Sequence, residues 1–194
     1  MSDAVEPPRD PPPAYEASAP RQAPAPYVTE EPPEPTPLSR VGFQAALRSG
    51  LSMSGGAVAH ARPMSDELRF QLPLLIDIGA KVTRHLFLGG YTGMTFADGM
   101  GARLGAQLQI HFAPAHFSNP WIGYGLGYEW GDGIRGPEYA RFIFGIDLRL
   151  SRSFGLGPFV DLTLGRYTHE DGAAIPETRG HEWFTLGLRV VLFP

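Results

Sequence analysis

Cysteine is absent from the 194 residues, so disulfides and a cysteine-based zinc site are excluded. Lysine is almost absent as well: Lys81 is the only one. No uninterrupted run of about 18 apolar residues occurs, so no transmembrane helix can form. No basic cluster occurs either, and nucleic acid is not an expected partner. The start, Met1-Ser2-Asp3-Ala4-Val5-Glu6-Pro7, lacks the charged and apolar regions of a signal peptide. A secreted destination therefore requires a leader already removed or a start further upstream.

Glycine is missing from residues 1–40, where most of the prolines lie, and it appears only from Gly42 onward. Large apolar residues follow the same division. The first forty residues hold seven acids (Asp3, Glu6, Asp10, Glu16, Glu30, Glu31, Glu34) against Arg9, Arg21 and Arg40, which accounts for the formal net charge of −4. Their apolar content is mostly alanine, too small to repay the entropy of ordering. Two domains are expected: a disordered, acidic, proline-rich arm over 1–40 and a folded domain over 41–194. Pro12-Pro13-Ala14-Tyr15 has the form of a polyproline ligand and is read as semi-rigid spacer.

What the domain does contain is polarity alternating with period two, for about ten residues at a time. In 68–82, Leu68, Phe70, Leu72, Leu74, Ile76, Ile78, Ala80 and Val82 oppose Arg69, Gln71, Pro73, Leu75, Asp77, Gly79 and Lys81. A strand separates these sets onto two faces, whereas a helix would scatter them. The pattern returns over 103–112, 121–130, 141–150, 159–166 and 184–192, and more weakly over 41–49 and 86–96. Those eight segments predict an all-β, antiparallel up-and-down barrel, closed because the strand number is even. Connections near 83–85, 113–120 and 151–158 are expected at one rim, and longer ones near 52–66 and 168–180 at the other.

Alternation alone does not say which face is inside. The composition of the polar face does. A soluble barrel would wear Lys, Glu, Ser and Thr outside. Here the polar face is mainly Gly, Gln, Arg and Asp, and glycine suits strands that crowd around a narrow lumen. Asp77, Glu129, Asp147 and Asp161 offset Arg48, Arg69, Lys81, Arg103, Arg141, Arg149 and Arg189, as a confined space demands, because an unpaired buried charge costs several kcal/mol. A lumen charge network is therefore expected from Asp77, Glu129, Asp147, Asp161, Arg69, Arg103, Arg141, Arg149 and Arg189. Aromatics support a membrane: Phe112, Phe117, Trp121, Phe154, Phe159 and Phe193 fall near the short-turn rim. Tyr128, Trp130, Tyr139, Phe142, Tyr167, Trp183 and Phe184 fall near the other, as two interfacial girdles would.

Leu74–Gly79, Asn119-Pro120-Trp121-Ile122-Gly123-Tyr124-Gly125, Gly157-Pro158-Phe159-Val160-Asp161 and the final strand resemble the eight-stranded outer-membrane β-barrel families, the OmpA- and OmpX-like proteins. The resemblance implies a Gram-negative outer-membrane address, the arm in the periplasm, and contact with outer-membrane lipid and lipopolysaccharide. It further implies biogenesis through periplasmic chaperones and the barrel-assembly machinery. That machinery reads a last strand of the form polar-x-Gly-x-x-apolar-x-apolar. Thr185, Gly187, Val190 and Leu192 fit it, with Phe193 beyond them, although Pro194 follows where family members often end on an aromatic residue.

No catalytic residue, metal or cofactor is expected. His116-Phe117-Ser118 resembles the His-x-Ser element of outer-membrane lipid A deacylases, but it falls in a turn on the wrong rim. His169-Glu170-Asp171 and His181-Glu182 read as solvated loop residues. The expected role is non-enzymatic, structural or envelope-interacting, with a side-chain-filled lumen. The alternatives are a soluble lipocalin-like barrel around an apolar ligand and an outer-membrane lipid-modifying enzyme.

Overall fold

A computed structural model describes residues 41–59, 62–63, 70–96 and 99–193. The arm expected over 1–40, and Arg69, lie outside these. Eight long strands follow one another: β1 Gly42–Ala59, β2 Phe70–Lys81, β3 Leu86–Phe96, β4 Met100–His111, β5 Ser118–Gly131, β6 Ile134–Arg149, β7 Phe154–Arg166 and β8 Gly180–Leu192. Each pairs antiparallel with the next. β8 pairs back onto β1, in a register that sets Leu47 beside both Ile76 of β2 and Val190 of β8. The ring is closed, so every long strand has two neighbours and no long edge is left open.

The alternation assigns the faces. Leu72, Leu74, Ile76 and Ile78 stand on the exposed outer wall, while Gln71, Leu75, Asp77 and Lys81 are buried inside. The other strands follow suit, so the buried interior is largely polar and the exposed exterior apolar. Its apolar residues form only small clusters, such as Trp121, Ile143 and Phe159.

The strands are longer than alternation suggested, for three local reasons. Asp132 and Gly133 both have positive φ, 49° and 77°, which makes a two-residue turn of the kind that joins hairpin strands directly. The stretch after Trp130 is therefore strand β6 and not a connection. Pro120 and Pro158 lie within β5 and β7 and do not mark turns, so the short turns shrink to 112–117 and 150–153. The β6–β7 pairing skips the Pro158 position, resuming at Leu148 beside Leu156, as expected for a residue without an N–H. Finally, β6 carries a bulge: its register shifts against both β5 (Gly125/Gly127) and β7 (Glu138/Ala140). Inward positions are even-numbered before the bulge and odd-numbered after it, so Glu138 and Arg141 both point into the lumen.

Not all of the aromatics join girdles. Phe112, Phe117, Tyr128, Trp130, Tyr139, Phe142 and Phe184 are exposed on the outer wall or rim, whereas Trp121, Phe159, Tyr167, Trp183 and Phe193 are buried inside. The inward ones occupy space that glycine vacates on adjoining strands. A Cβ on Gly145 would lie 2.5 Å from Trp121 Cζ2, and one on Gly105 would lie 2.4 Å from Tyr91 Cζ. Glycine on the polar face is thus the socket into which Trp121, Tyr91, Phe159 and Phe193 pack.

Candidate functional site: the charged lumen

The middle of the barrel is organised around two aspartates. Arg48 of β1 donates from Nη2 to Asp77 Oδ1 at 2.7 Å and from Nη1 to Asp161 Oδ2 at 3.0 Å. Arg141 donates to the same Asp161 Oδ2, from Nε at 2.7 Å and from Nη2, and Thr163 Oγ1 donates to Asp161 Oδ1 at 3.0 Å. All four charged side chains are buried to within 1 %. Charge-assisted bonds of this kind satisfy both oxygens of Asp161 and Oδ1 of Asp77, and without them burial would be prohibitive.

Toward the long-loop end, Arg103 lies between two glutamates, 3.2 Å from Glu129 Oε2 and 3.4 Å from Glu138 Oε1. His181 Nε2 sits 2.5 Å from Glu129 Oε1, and Tyr91 donates its hydroxyl to Glu138. Tyr167 stacks on the His181 ring at 4.2 Å. Burial, with the Glu129 carboxylate beside it, holds the Tyr167 phenol well above its ordinary range. A cavity of only about 20 Å³ lies among Gln71, Arg103, Glu129 and Tyr167, room for roughly one water.

At the short-turn end, Arg189 Nη1 reaches Asp147 Oδ2 at 2.9 Å and Oδ1 at 3.1 Å, while Trp121 Nε1 donates to Oδ1 at 3.1 Å. Arg149 differs: it donates to the backbone carbonyls of Arg152 and Pro114, both at 3.2 Å, and no carboxylate lies within ion-pairing distance among the described residues. Most of the arginines also face a ring. Arg189 lies 4.3 Å from the Trp121 centroid, Arg141 4.3 Å from Tyr91 and Arg103 5.3 Å from Trp183. Each of these three cations is thus held between a carboxylate and an aromatic face, which suits a planar, weakly hydrated guanidinium better than an ammonium.

Of the residues expected in a charge network, Asp161 meets Arg141 directly and Asp77 joins them through Arg48, Glu129 meets Arg103, and Asp147 meets Arg189. Arg149 stands apart. Glu138 and His181 also belong to the arrangement: Glu138 is not among the residues the sequence suggests, and His181, expected as a solvated loop residue, is instead buried in β8 beside Glu129. Glu138 is hidden by the bulge. His181 shares the parity of Thr185 and Gly187, so extending the β8 alternation backward would have found it. The final-strand residues are placed as follows: Thr185 is buried and hydrogen-bonds Ser52 across the β1–β8 seam, Gly187 faces Gly50, Val190 and Leu192 point outward, and Phe193 points in. His116 and Ser118 are both exposed at the short-turn rim, and no cluster of metal-ligating side chains is found among the described residues.

Scans of the sequence against family profiles and against curated proteins return no match. Solved structures do match. Neisserial surface protein A aligns with 77 % of this chain and 96 % of its own, at a TM-score of 0.50 and 11 % identity. The outer membrane protein OprG from Pseudomonas aeruginosa aligns more loosely, over 81 % of this chain and 99 % of its own, at 0.44 and 9 %. The N-terminal β-barrel domain of Pseudomonas aeruginosa OprF does likewise, over 78 % and 99 %, at 0.45 and 11 %. Identity this low speaks to the fold: the chain has the closed eight-stranded barrel found among outer-membrane proteins.

Proposed function

We propose that this chain is an integral outer-membrane protein whose barrel is plugged by its own side chains, with a structural or envelope-interaction role and no catalysis. The observation that carries the reading is the inversion of faces. Large apolar side chains such as Leu74, Ile76, Leu126 and Phe144 are exposed on the outer wall, while Arg48, Asp77, Arg141, Asp147, Asp161 and Arg189 are almost wholly buried. In water such an apolar belt would be an aggregation surface. In hydrocarbon it is the solvent-matched face, and a closed barrel leaves no backbone group of its long strands unpaired.

A lipocalin-like soluble barrel needs the opposite arrangement, an apolar cavity inside. The interior here is filled with ion pairs and aromatic rings, which argues equally against bulk conduction. On this reading the short turns face the periplasm, the outer wall contacts outer-membrane lipid and lipopolysaccharide, and the final strand engages chaperones and the assembly machinery during insertion. Lipid-restricted quenching of single-cysteine probes along 70–81 tests the embedding. Quenching should alternate, strong at Leu72, Leu74, Ile76 and Ile78 and weak at Gln71 and Asp77. Quenching on the Gln71/Asp77 face, or none, would overturn the proposal. Planar-bilayer recording on the same protein should show no stable open channel.

A further inference from the structure

The lumen is not electrically uniform along its axis. In the middle and toward the long loops, Arg48, Arg103 and Arg141 are met by Asp77, Asp161, Glu129 and Glu138. At the short-turn end Lys81, Arg149 and Arg189 are met by Asp147 alone. Asp147 is already committed, with both oxygens to Arg189 and one also to Trp121 Nε1. Among the described residues, that leaves Lys81 and Arg149 as two buried cations with no carboxylate at ion-pairing distance.

Their placement is defined by one ring. Lys81 Nζ lies 5.5 Å from the Phe193 centroid and Arg149 Cζ 4.2 Å from it. Both side chains are more than nine-tenths buried, and Lys81 Nζ has no hydrogen-bond partner. Unused donors collect at the same level of the barrel: Arg149 Nε, Gln44 Nε2, Gln109 Nε2 and His111 Nε2 are all buried and unpartnered. The register explains the gathering, since Gly42 pairs with Lys81, Phe87 with both Lys81 and Gln109, and His111 closes β4. The three turns that frame this mouth, 82–85, 112–117 and 150–153, carry Arg84, His85, His116 and Arg152 and no carboxylate. Along those three turns an approaching anion meets only positive charge, focused by low-dielectric walls.

Buried, unpaired ammonium and guanidinium groups beside idle donors cost several kcal/mol unless something neutralises them. We propose that the short-turn end of the lumen binds a phosphate-type oxyanion, held by Lys81 and Arg149 over the Phe193 ring. The idle donors outnumber the one idle acceptor beside them, Gln44 Oε1, and suit a tetrahedral oxyanion better than chloride, because its oxygens accept in several directions at once. The anion is either free phosphate or the phosphate of a lipid headgroup at that rim.

The test uses the full folded chain in maltoside micelles, which carry no phosphate, and so does not depend on membrane residence. Inorganic phosphate is titrated against chloride at constant ionic strength, and unfolding in urea is followed by tryptophan fluorescence. Phosphate at ten times its dissociation constant should lower the unfolding equilibrium constant about tenfold. Lys81→Gln and Arg149→Gln should lose that response, and Arg152→Gln, in the exposed turn, should keep it. Should either glutamine variant not fold, ³¹P line broadening on the wild-type chain and on Lys81→Arg gives the same answer, with broadening expected for both. In a second arm the wild-type chain and Lys81→Gln are compared in phosphatidylglycerol and phosphatidylcholine vesicles. A Lys81-dependent gain confined to phosphatidylglycerol assigns the oxyanion to a headgroup, and a gain in micelles assigns it to free phosphate. No Lys81-dependent response in either arm overturns the proposal, as does a response that Lys81→Gln retains.

Discussion

Asp161→Ala is the sharpest perturbation of the lumen. The carboxylate accepts from Arg48 Nη1, from Arg141 Nε and Nη2, and from Thr163 Oγ1, at a position 1 % exposed. Its removal affects the two arginines unequally. Arg48 keeps Asp77 at 2.7 Å, whereas Arg141 keeps the Tyr91 ring at 4.3 Å and Glu138 beyond ion-pairing distance. One guanidinium therefore loses its only bonded carboxylate, a change that costs about 3–5 kcal/mol for a buried pair. Asp77→Ala should cost less, since Arg48 retains Asp161. Arg166→Ala, at an exposed strand end, should stay within about 0.5 kcal/mol of wild type. Urea unfolding in phosphatidylcholine vesicles, read by tryptophan fluorescence and by the gel mobility of folded barrel, supplies the three midpoints. Adding Arg141→Met to Asp161→Ala should recover much of the loss, because the stranded charge leaves with its partner. If Asp161→Ala and Arg166→Ala give the same midpoint, the lumen charges are not coupled as their geometry implies.

Ile76→Arg, on the outer wall near mid-barrel, should cost about 2–4 kcal/mol in vesicles, and the same change near a rim much less; equal costs in vesicles and micelles would speak against hydrocarbon contact. Gly145→Leu drives a side chain into the Trp121 ring and should cost about 1–3 kcal/mol, with the Trp121 emission shifted toward that of a solvated indole. The final strand separates assembly from stability. Gly187→Asp puts a Cβ 2.2 Å from the Ser49 carbonyl oxygen and should fail to fold in micelles as well as in cells. Leu192→Asp changes only an outward side chain; it should refold in micelles yet leave the secreted chain with periplasmic chaperones, and normal outer-membrane levels would refute a recognition role for that residue.

Much of this was legible in the alternation. The runs around Ile76, Leu108, Leu126, Phe144 and Leu188 identify outward faces, and from them follow the strand number, the closure and the polarity of the interior. What alternation could not supply is where its phase changes. Glu138 sits in phase with Gly136 and out of phase with Arg141, and a single inserted residue near Tyr139 makes the difference. The inward rings were misassigned for a related reason. Trp121 and Phe159 have the parity of the polar face, but their chemistry suggests an interface. Size decides, because the glycines across the ladder leave voids that only a ring fills. Asp132-Gly133 is an ordinary hairpin signal, as is Asp171-Gly172, and without the first of them residues 134–140 of β6 do not read as strand. That Arg149 pairs with no carboxylate among the described residues is not written in the sequence at all, since it depends on Asp147 turning to Arg189.

The seam where the last strand meets the first carries a consequence for the order of events during folding. In the β1–β8 register Arg48 stands directly opposite Arg189, two like charges brought together by the most sequence-distant pairing in the chain. Neither arginine is balanced by its partner strand. Arg48 relies on Asp77, one strand away on β2, and on Asp161, which reaches it past β8 from β7; Arg189 relies on Asp147 of β6. Directly opposed like charges repel, so the two ends of the sheet cannot zip until the hairpins on both sides have presented their acids. Closure is thereby conditional on the rest of the wall, and a half-built sheet is kept from sealing early on a wrong register. In kinetic terms the late, long-range contact that limits the rate is also a checkpoint. Replacing Arg189 with an uncharged side chain should relax that condition, giving faster closure and a larger share of misregistered barrels.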